Sequence, residues 1–223
     1  MKSAALRTIS TFGVIAAVAG LEHGIGEVLQ GGRRPDSVMI LSWPDAPFFS
    51  IHAGEPAMTV IPNLLVSGIL TVLVSLLFCA CAVFFMGRKQ SGAALLLISV
   101  LWLLVGGGFG PPVLGVLLGS AALIVHALAA KETRFTAGLW RFLARQWQWL
   151  YIACLGAWLL LFPGLNLWDT LIGVRNPEGI VPLVAFSSFG FLLLAILTGI
   201  ARDHTGVAAM PREQTLAYPR GKA

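Results

Sequence analysis

The residues best suited to chemistry lie close together near the end of the first apolar segment, in the stretch GLEHGIGEVLQGG, residues 20–32. Glu22, His23 and Glu27 supply two carboxyl groups and an imidazole in a chain that is otherwise largely hydrophobic. On a helix, which turns about 100° per residue, these side chains and Gln30 fall within an arc of about 140°. One helical face therefore carries all the polar groups of this stretch.

The depth of these residues in a membrane bears on their role. An ionisable residue at the centre of a membrane helix costs about 2.5 to 3.5 kcal/mol, so such residues usually face a wet cavity or a partner. Glu22 lies about 21 Å along a helix that starts at Thr8, inside a hydrocarbon core of about 30 Å. Glu27 lies close to the boundary of that core. Glu22 and His23 are therefore candidates for function or structural hydrogen bonding, whereas Glu27 is more simply structural or hydrated.

Two kinds of chemistry suit this spacing. Glu22 can act as a proton carrier whose pKa is tuned by His23. His23 and Glu27 stand at i and i+4, which places two metal ligands on one helical face, and Glu22 can supply or orient a third group. A stable metal site needs further ligands, and the candidates in the outer loop, His52, Glu55, Asp36 and Asp45, have no recognisable metal spacing.

Further polar groups return to the same side of the membrane in SIHAGEPAMTVIPN, residues 50–63, just before the second apolar segment. Pro56 and Pro62 suit either a broken helix that lines a site or a first helical turn, where proline is tolerated. The candidate ionisable site consists of Glu22, His23, Glu27, His52, Glu55 and Asn63.

The composition requires membrane-spanning helices to position these groups. Apolar residues make up 57% and charged residues 11% of the 223 positions, and the mean hydropathy is +0.84, whereas soluble domains carry about a quarter charged residues. Because the alternating pattern of a membrane barrel is absent, the fold class is predicted to be an all-α, polytopic transmembrane helix bundle. The net charge of +5 comes from basic residues between apolar runs, which indicates membrane topology rather than nucleic-acid binding.

Six spans are predicted, at residues 7–29, 63–86, 91–109, 110–130, 147–163 and 180–200. The third and fourth are separated only by GGGFGPP, residues 106–112, which is interpreted as a tight turn; a re-entrant pair of half-helices is the alternative. With a cytoplasmic N-terminus, every Lys and Arg except Arg33, Arg34 and Arg175 lies inside. The positive-inside rule therefore predicts that both termini face the cytoplasm of a prokaryotic cell. A signal peptide cleaved after Ala19 is the competing interpretation of the N-terminus.

The segments between the spans also have predicted roles. Residues 30–62 are rich in proline and aromatic side chains and are expected to form an outer loop that folds onto the bundle. Residues 131–146 are predicted to form an amphipathic cytoplasmic helix, and residues 203–223 a disordered cytoplasmic tail. The amphipathic helix is expected to contact lipid headgroups through Arg134, Arg141 and Arg145.

The other notable residues suit packing better than catalysis. Cys79, Cys81 and Cys154 lie within apolar runs, where a free cysteine behaves as a small hydrophobe. Gly115 and Gly119 form a GxxxG pair, which is typical of close helix contacts. No nucleophile elbow, HExxH motif or paired CxxC occurs in the sequence, so no cofactor is predicted and the chain is not expected to be an enzyme.

Three functions are consistent with these features. The preferred hypothesis is a small proton- or cation-linked solute transporter with an outward-facing site of acids and histidine. The alternatives are a metal-binding membrane enzyme that uses His23 and Glu27, and a non-catalytic membrane subunit or assembly factor. Membrane lipids are expected partners, together with a second copy of the chain or another membrane protein, but no nucleic acid.

Overall fold

The computed structural model describes residues 3–131 and 138–205, in which helices dominate and the all-α prediction is confirmed. The helices are α1 (Ala4–Leu29), α2 (Leu64–Ala80), α3 (Ser91–Leu104), α4 (Gly110–Ala130), α5 (Gly138–Leu159), α6 (Leu165–Ile172) and α7 (Pro177–His204). Two short strands, β1 (Met39–Leu41) and β2 (Pro56–Met58), and a 3-10 helix at Pro47–His52 lie between α1 and α2.

The apolar helices are long enough for a membrane protein. By length and composition, five helical stretches can each cross a bilayer: Ala4–Leu29, Leu64–Phe85, Gly110–Ala130, Gly138–Ile172 and Pro177–His204. Helix α3 has 14 residues and therefore extends only about 21 Å, which is shorter than a hydrocarbon core of about 30 Å.

Within the third predicted span, residues 91–109, the helix is shorter than the span, because α3 stops at Leu104. The carbonyl groups at the end of α3 accept hydrogen bonds from other segments instead of continuing the helix. Val60 N donates to Leu104 O over 2.9 Å, and the hydroxyls of Ser67 and Thr71 in α2 donate to Val105 O over 2.7 and 2.6 Å. Gly106 then turns the chain with a φ of +110°, so the helix cannot continue.

Helix α1 occupies the centre of the bundle and packs against α2, α4 and α7. Its contact with α2 is close enough to require glycine on both helices. A Cβ atom added to Gly24 would lie 2.9 Å from Gly68 O, and one added to Gly68 would lie 2.6 Å from Gly24 O. Gly92 of α3 and Gly119 of α4 face each other in the same way, in agreement with the packing role predicted for Gly119.

The helices alternate in direction between two ends of the bundle. At one end the loop of residues 30–63, the turn of residues 105–109, α6 and the start of α7 come together; we call this the loop-bearing end. At the opposite end, the carboxylate of Asp203 accepts hydrogen bonds from Ser3 Oγ, Ala4 N and Ala5 N over 2.6, 2.7 and 3.1 Å. These bonds satisfy the first amide groups of α1.

The predicted tail, residues 203–223, is wrong at its start. Asp203 and His204 belong to helix α7. The hydrogen bonds of Asp203 to the start of α1 stabilise this end of the helix. The rest of this predicted tail, residues 206–223, lies outside the described residues.

The described part of the predicted amphipathic helix, residues 138–146, is continuous with the predicted span at 147–163. A single helix, α5, runs from Gly138 to Leu159, because no glycine or proline interrupts the sequence between its two halves. It ends in a wider turn at Leu160–Gly164, in which Phe162 has an extended backbone. Arg141 and Arg145 are exposed on α5, whereas Arg134 lies outside the described residues.

The loop between α1 and α2 is folded. Strands β1 and β2 pair antiparallel, with Met39 opposite Met58, and the rings of Trp43 and Phe49 stack with centroids 4.8 Å apart. The side-chain amide of Gln30 donates to the carbonyls of Leu41 and Ser42, both over 3.0 Å. The end of α1 therefore fixes the position of the strand that leads into the site.

Candidate functional site

Three segments that are far apart in the sequence meet at the loop-bearing end. They are the last three turns of α1, residues 42–55 of the loop, and the glycine run at 106–108. His23 of α1 contacts Ser42 and Glu55 of the loop, and its ring lies directly against Gly108. The three stretches that stood out in the sequence therefore contribute to one site.

The centre of the site is formed by two carboxyl groups and an imidazole. Glu22, His23 and Glu55 each offer a ligand atom, and these atoms all lie within 4.8 Å of one another. His23 Nε2 lies 3.5 Å from Glu55 Oε2. His23 and Glu55 are only 3% and 5% exposed, and Glu22 is partly buried. A group of this kind can bind a cation or exchange protons.

A strained turn holds Glu55 against α1. Ala53, Gly54 and Glu55 have φ angles of 53°, 74° and 58°, a left-handed conformation that is unfavourable for residues with a side chain. Glu55 N donates to His52 O over 3.1 Å, and Glu55 O accepts from Ser42 N over 3.0 Å. These bonds offset the cost of the turn. Such strain occurs preferentially at functional sites, because the surrounding structure has to maintain it.

The imidazole of His23 is fixed from two sides. Its Nδ1 lies 2.8 Å from the hydroxyl oxygen of Ser42, which is completely buried. On the other side, Gly108 has a φ of +72° and lies so close that a Cβ atom would collide with the ring. When His23 donates the Nδ1 proton to Ser42, the lone pair of Nε2 faces Glu55.

His52 adds a second imidazole beside Glu55. Its Nδ1 lies 2.7 Å from Oδ1 of Asn166 in α6, and its ring stacks on Phe162 with centroids 4.5 Å apart. Since an amide oxygen only accepts hydrogen bonds, Nδ1 carries the proton and Nε2 carries a lone pair. The Nδ1 atom is 3.8 Å from Glu55 Oε1, so His52 and Glu55 share one environment.

Burial changes the protonation of both loop residues. It raises the pKa of Glu55 from 4.5 to about 8, since a buried carboxylate loses its hydration. Burial also lowers the pKa of His52, and the hydrogen bond to Asn166 opposes this effect. At neutral pH, without a bound cation, both side chains are therefore mainly uncharged.

The site forms part of the wall of a large cavity of about 850 Å³. Glu22, His23, His52 and Glu55 line it together, and most of the remaining wall is apolar. The apolar part comes from α1, the loop, α4, the end of α5 and the start of α7; examples are Val18, Phe48, Leu114, Phe162 and Val181. The cavity therefore places a polar group of side chains within a mainly hydrophobic pocket.

Buried polar atoms that lack a partner are concentrated in the same region. Within residues 3–131 and 138–205, seven buried side-chain nitrogen and oxygen atoms have no hydrogen-bond partner. They are Glu22 Oε1, both carboxylate oxygens of Glu27, Trp43 Nε1, His52 Nε2, Glu55 Oε1 and Trp102 Nε1. Three of these atoms, on Glu22, His52 and Glu55, belong to residues of the cavity wall. Since buried polar groups are nearly always paired in proteins, these three atoms are available to a polar ligand or ion in the cavity.

Two of the predicted site residues, Glu27 and Asn63, do not lie beside His23. Glu27 is completely buried, but its carboxylate lies against Gly106 rather than beside His23. Asn63 caps α2, because its side-chain oxygen accepts from Val66 N over 3.1 Å. The structure therefore places Glu55, and not Glu27, beside the ring of His23.

Three residues of the site were not found from the sequence. Ser42 and Asn166 orient the two imidazoles, yet single polar residues of this kind carry no recognisable pattern. Gly108 belongs to a run of three glycines that is visible in the sequence, but a turn alone is enough to explain this run. The missing information is the tertiary contact of the run with His23.

Comparison of the chain with known protein families, with curated proteins and with solved structures finds no match.

Proposed function

We propose that the protein is a small proton- or cation-linked solute transporter of a prokaryotic cytoplasmic membrane. The observation that carries this proposal is the buried group of Glu22, His23 and Glu55 in the wall of a cavity of about 850 Å³. Ionisable residues inside a helical membrane bundle usually line pathways for ions or solutes. A buried carboxyl group that is neutral without a ligand can lose its proton when a cation arrives, which couples the two movements.

The proposed topology has six spans, with both termini in the cytoplasm and the loop-bearing end outside. The distribution of Lys and Arg supports this orientation. The five long apolar stretches support most of the spans. Helix α3 is the short one, and as part of this proposal the turn of residues 105–109 adds to its length.

Membrane lipids are the proposed surroundings of the bundle. Large apolar side chains are exposed on its surface, and Phe84, Ile172 and Phe186 are 78%, 81% and 79% exposed. Bilayer hydrocarbon is the solvent that suits such a surface. Arg141 and Arg145, exposed near the start of α5, are proposed to contact headgroups of the cytoplasmic leaflet.

A transport assay in liposomes tests the function. The full-length protein is reconstituted with the pH-sensitive dye pyranine inside, and Na⁺, K⁺, Mg²⁺, Mn²⁺ or Zn²⁺ is added outside, one at a time. We expect at least one cation to move protons faster than in protein-free liposomes, and we expect Glu55→Gln to abolish this difference. Glu178→Gln is the matched control, because Glu178 is an exposed acid that lines the same cavity outside the central group. If no cation moves protons faster than in protein-free liposomes, the proposed function is wrong.

A further inference from the structure

We infer that Glu22, His23 and Glu55 bind a divalent transition-metal ion of the Zn²⁺ type. This inference rests on the proposed function, and it names the class of cation that the site takes. It differs from the metal site predicted from the sequence, because it replaces Glu27 with an acid from the loop.

The types of donor atom favour this class of ion. Imidazole nitrogen suits zinc, copper, iron and nickel, whereas Mg²⁺ and Ca²⁺ prefer sites made of oxygen atoms. Two carboxylates and one histidine provide three protein ligands, the number at which catalytic zinc sites leave a position open. A carrier needs such an open position, because a closed cage of protein ligands releases its ion slowly.

The distances are close to those of a bound metal. With metal–ligand bonds of about 2.0 to 2.2 Å, two ligands of a tetrahedral ion lie about 3.4 Å apart. His23 Nε2 and Glu55 Oε2 are 3.5 Å apart, so this pair needs no rearrangement. The ligand atoms of the three residues are within 4.8 Å of one another. The side chain of Glu22, which is the least buried of the three, can move closer to the other two ligands when the metal binds.

The surroundings of the ligands match those of metal sites. Ligating histidines usually make a hydrogen bond through the second ring nitrogen, which fixes the ring and its tautomer. His23 makes this bond to Ser42 over 2.8 Å, and His52 makes it to Asn166 over 2.7 Å. In the His23 ring Nε2, which faces Glu55, is then the nitrogen that can bind a metal.

An independent observation supports a ligand at this position. The side chains of Glu55 and His52 are 7% and 8% exposed, and each has an atom without a hydrogen-bond partner, Oε1 of Glu55 and Nε2 of His52. Both residues line the cavity beside the three ligands. A metal ion held by Glu22, His23 and Glu55 would satisfy the carboxylate oxygens of Glu22 and Glu55 that the described part of the protein leaves unpaired.

The test is metal binding by the full-length protein, purified in detergent with an affinity tag that contains no histidine. The protein is stripped with a chelator, and Zn²⁺, Mn²⁺, Mg²⁺ and Ca²⁺ are titrated separately by calorimetry, with elemental analysis of the bound metal. We expect one Zn²⁺ per chain and no stoichiometric Mg²⁺ or Ca²⁺. Glu22→Gln, His23→Gln and Glu55→Gln should each weaken Zn²⁺ binding by more than about 100-fold, and Ser42→Ala by about 10-fold to 100-fold.

Two controls make the test specific. Glu27→Gln removes the other buried acid of the same helix and Glu178→Gln removes another acid of the cavity wall; both should bind Zn²⁺ like the unchanged protein. X-ray absorption of the unchanged Zn²⁺ complex should show nitrogen and oxygen ligands with imidazole scattering, which does not depend on any variant folding. Folded protein that binds no stoichiometric Zn²⁺, or a spectrum dominated by sulfur, would overturn the inference.

The two proposals fail separately. If Zn²⁺ binds in one copy but no cation moves protons in liposomes, the metal site stands and transport is wrong. If cations move protons in a Glu55-dependent way but Zn²⁺ does not bind, transport stands and the metal assignment is wrong.

Discussion

His23 Nε2 of helix α1 lies 3.5 Å from Glu55 Oε2 of the loop that follows it. The contact is buried, with 4% and 7% of the two side chains exposed. It joins the central helix of the bundle to a strained turn of the loop, so the position of the loop and the chemistry of the helix depend on each other.

The first prediction concerns the pH dependence of stability in the metal-free protein. Burial raises the pKa of Glu55 from 4.5 to about 8, so between these values the folded protein holds a proton that the unfolded chain releases. Stability is therefore expected to fall as the pH rises from about 4.5 to 8, by at most about 1.4 kcal/mol per pH unit from this group. Glu55→Gln should reduce the slope, measured by thermal unfolding in detergent with a chelator present. Identical slopes for the two proteins would contradict a buried, protonated Glu55.

The second prediction concerns Gly108. Its φ is +72°, and a Cβ atom there would collide with the His23 ring. Gly108→Ala is expected to displace the imidazole, to destabilise the protein by about 1 to 3 kcal/mol, and to weaken Zn²⁺ binding. Gly110→Ala is the matched control, because a Cβ atom at Gly110 would have no neighbour within 4 Å. Calorimetry measures the Zn²⁺ affinity of both variants, and thermal unfolding measures their stability. Equal affinities and equal stabilities would show that Gly108 is not part of the site.

The third prediction concerns the opposite end of the bundle. Asp203 accepts three hydrogen bonds from the start of α1, two of them from backbone amides that lack a partner within the helix. Asp203→Ala should therefore lower the free energy of unfolding by about 1 to 3 kcal/mol. Zn²⁺ affinity should hardly change, because the binding site is at the other end. Thermal unfolding compares this variant with Asp36→Ala, which removes an exposed acid of the loop; an equal loss in both would contradict the capping role.

The fourth prediction separates Glu27 from the metal site. Glu27 is completely buried; the Ser67 hydroxyl approaches its carboxyl group, but neither carboxyl oxygen makes a hydrogen bond of ordinary geometry among the described residues. Because such burial is costly, Glu27→Met is expected to raise the free energy of unfolding by about 1 to 3 kcal/mol while Zn²⁺ binding persists. A destabilised variant would show that the contact with Ser67 outweighs the cost of burying the carboxyl group.

The helices could be predicted from the sequence because their signal is local. Long apolar runs identify α1, α2, α4 and α7, and the spacing of Glu22 and His23 on one face of α1 follows from the helical repeat. The end of α3 could not be found in this way. It depends on the hydroxyls of Ser67 and Thr71, which bind Val105 O from another helix.

The site is harder to predict because its partners are distant in sequence. Glu55 and His52 stood out as polar residues on the same side of the membrane as Glu22, but no pattern joined Glu55 to His23. The i and i+4 spacing favoured Glu27 instead, and this spacing is misleading because Gly106 lies against the Glu27 carboxylate. Only the folded loop shows which acid faces the imidazole.

Helix α1 is anchored at both of its ends. Asp203 of α7 binds its first residues, and Gln30 and His23 bind the loop at the other end. We expect a helix that is held at both ends to move less than the elements that surround it. The loop is hydrogen-bonded to α6 through His52 and Asn166 and through Ser50 and Asp169, and we expect the cavity wall to open at this contact rather than at α1. The ligands Glu22 and His23 would then keep their positions while the opposite wall opens and closes over them.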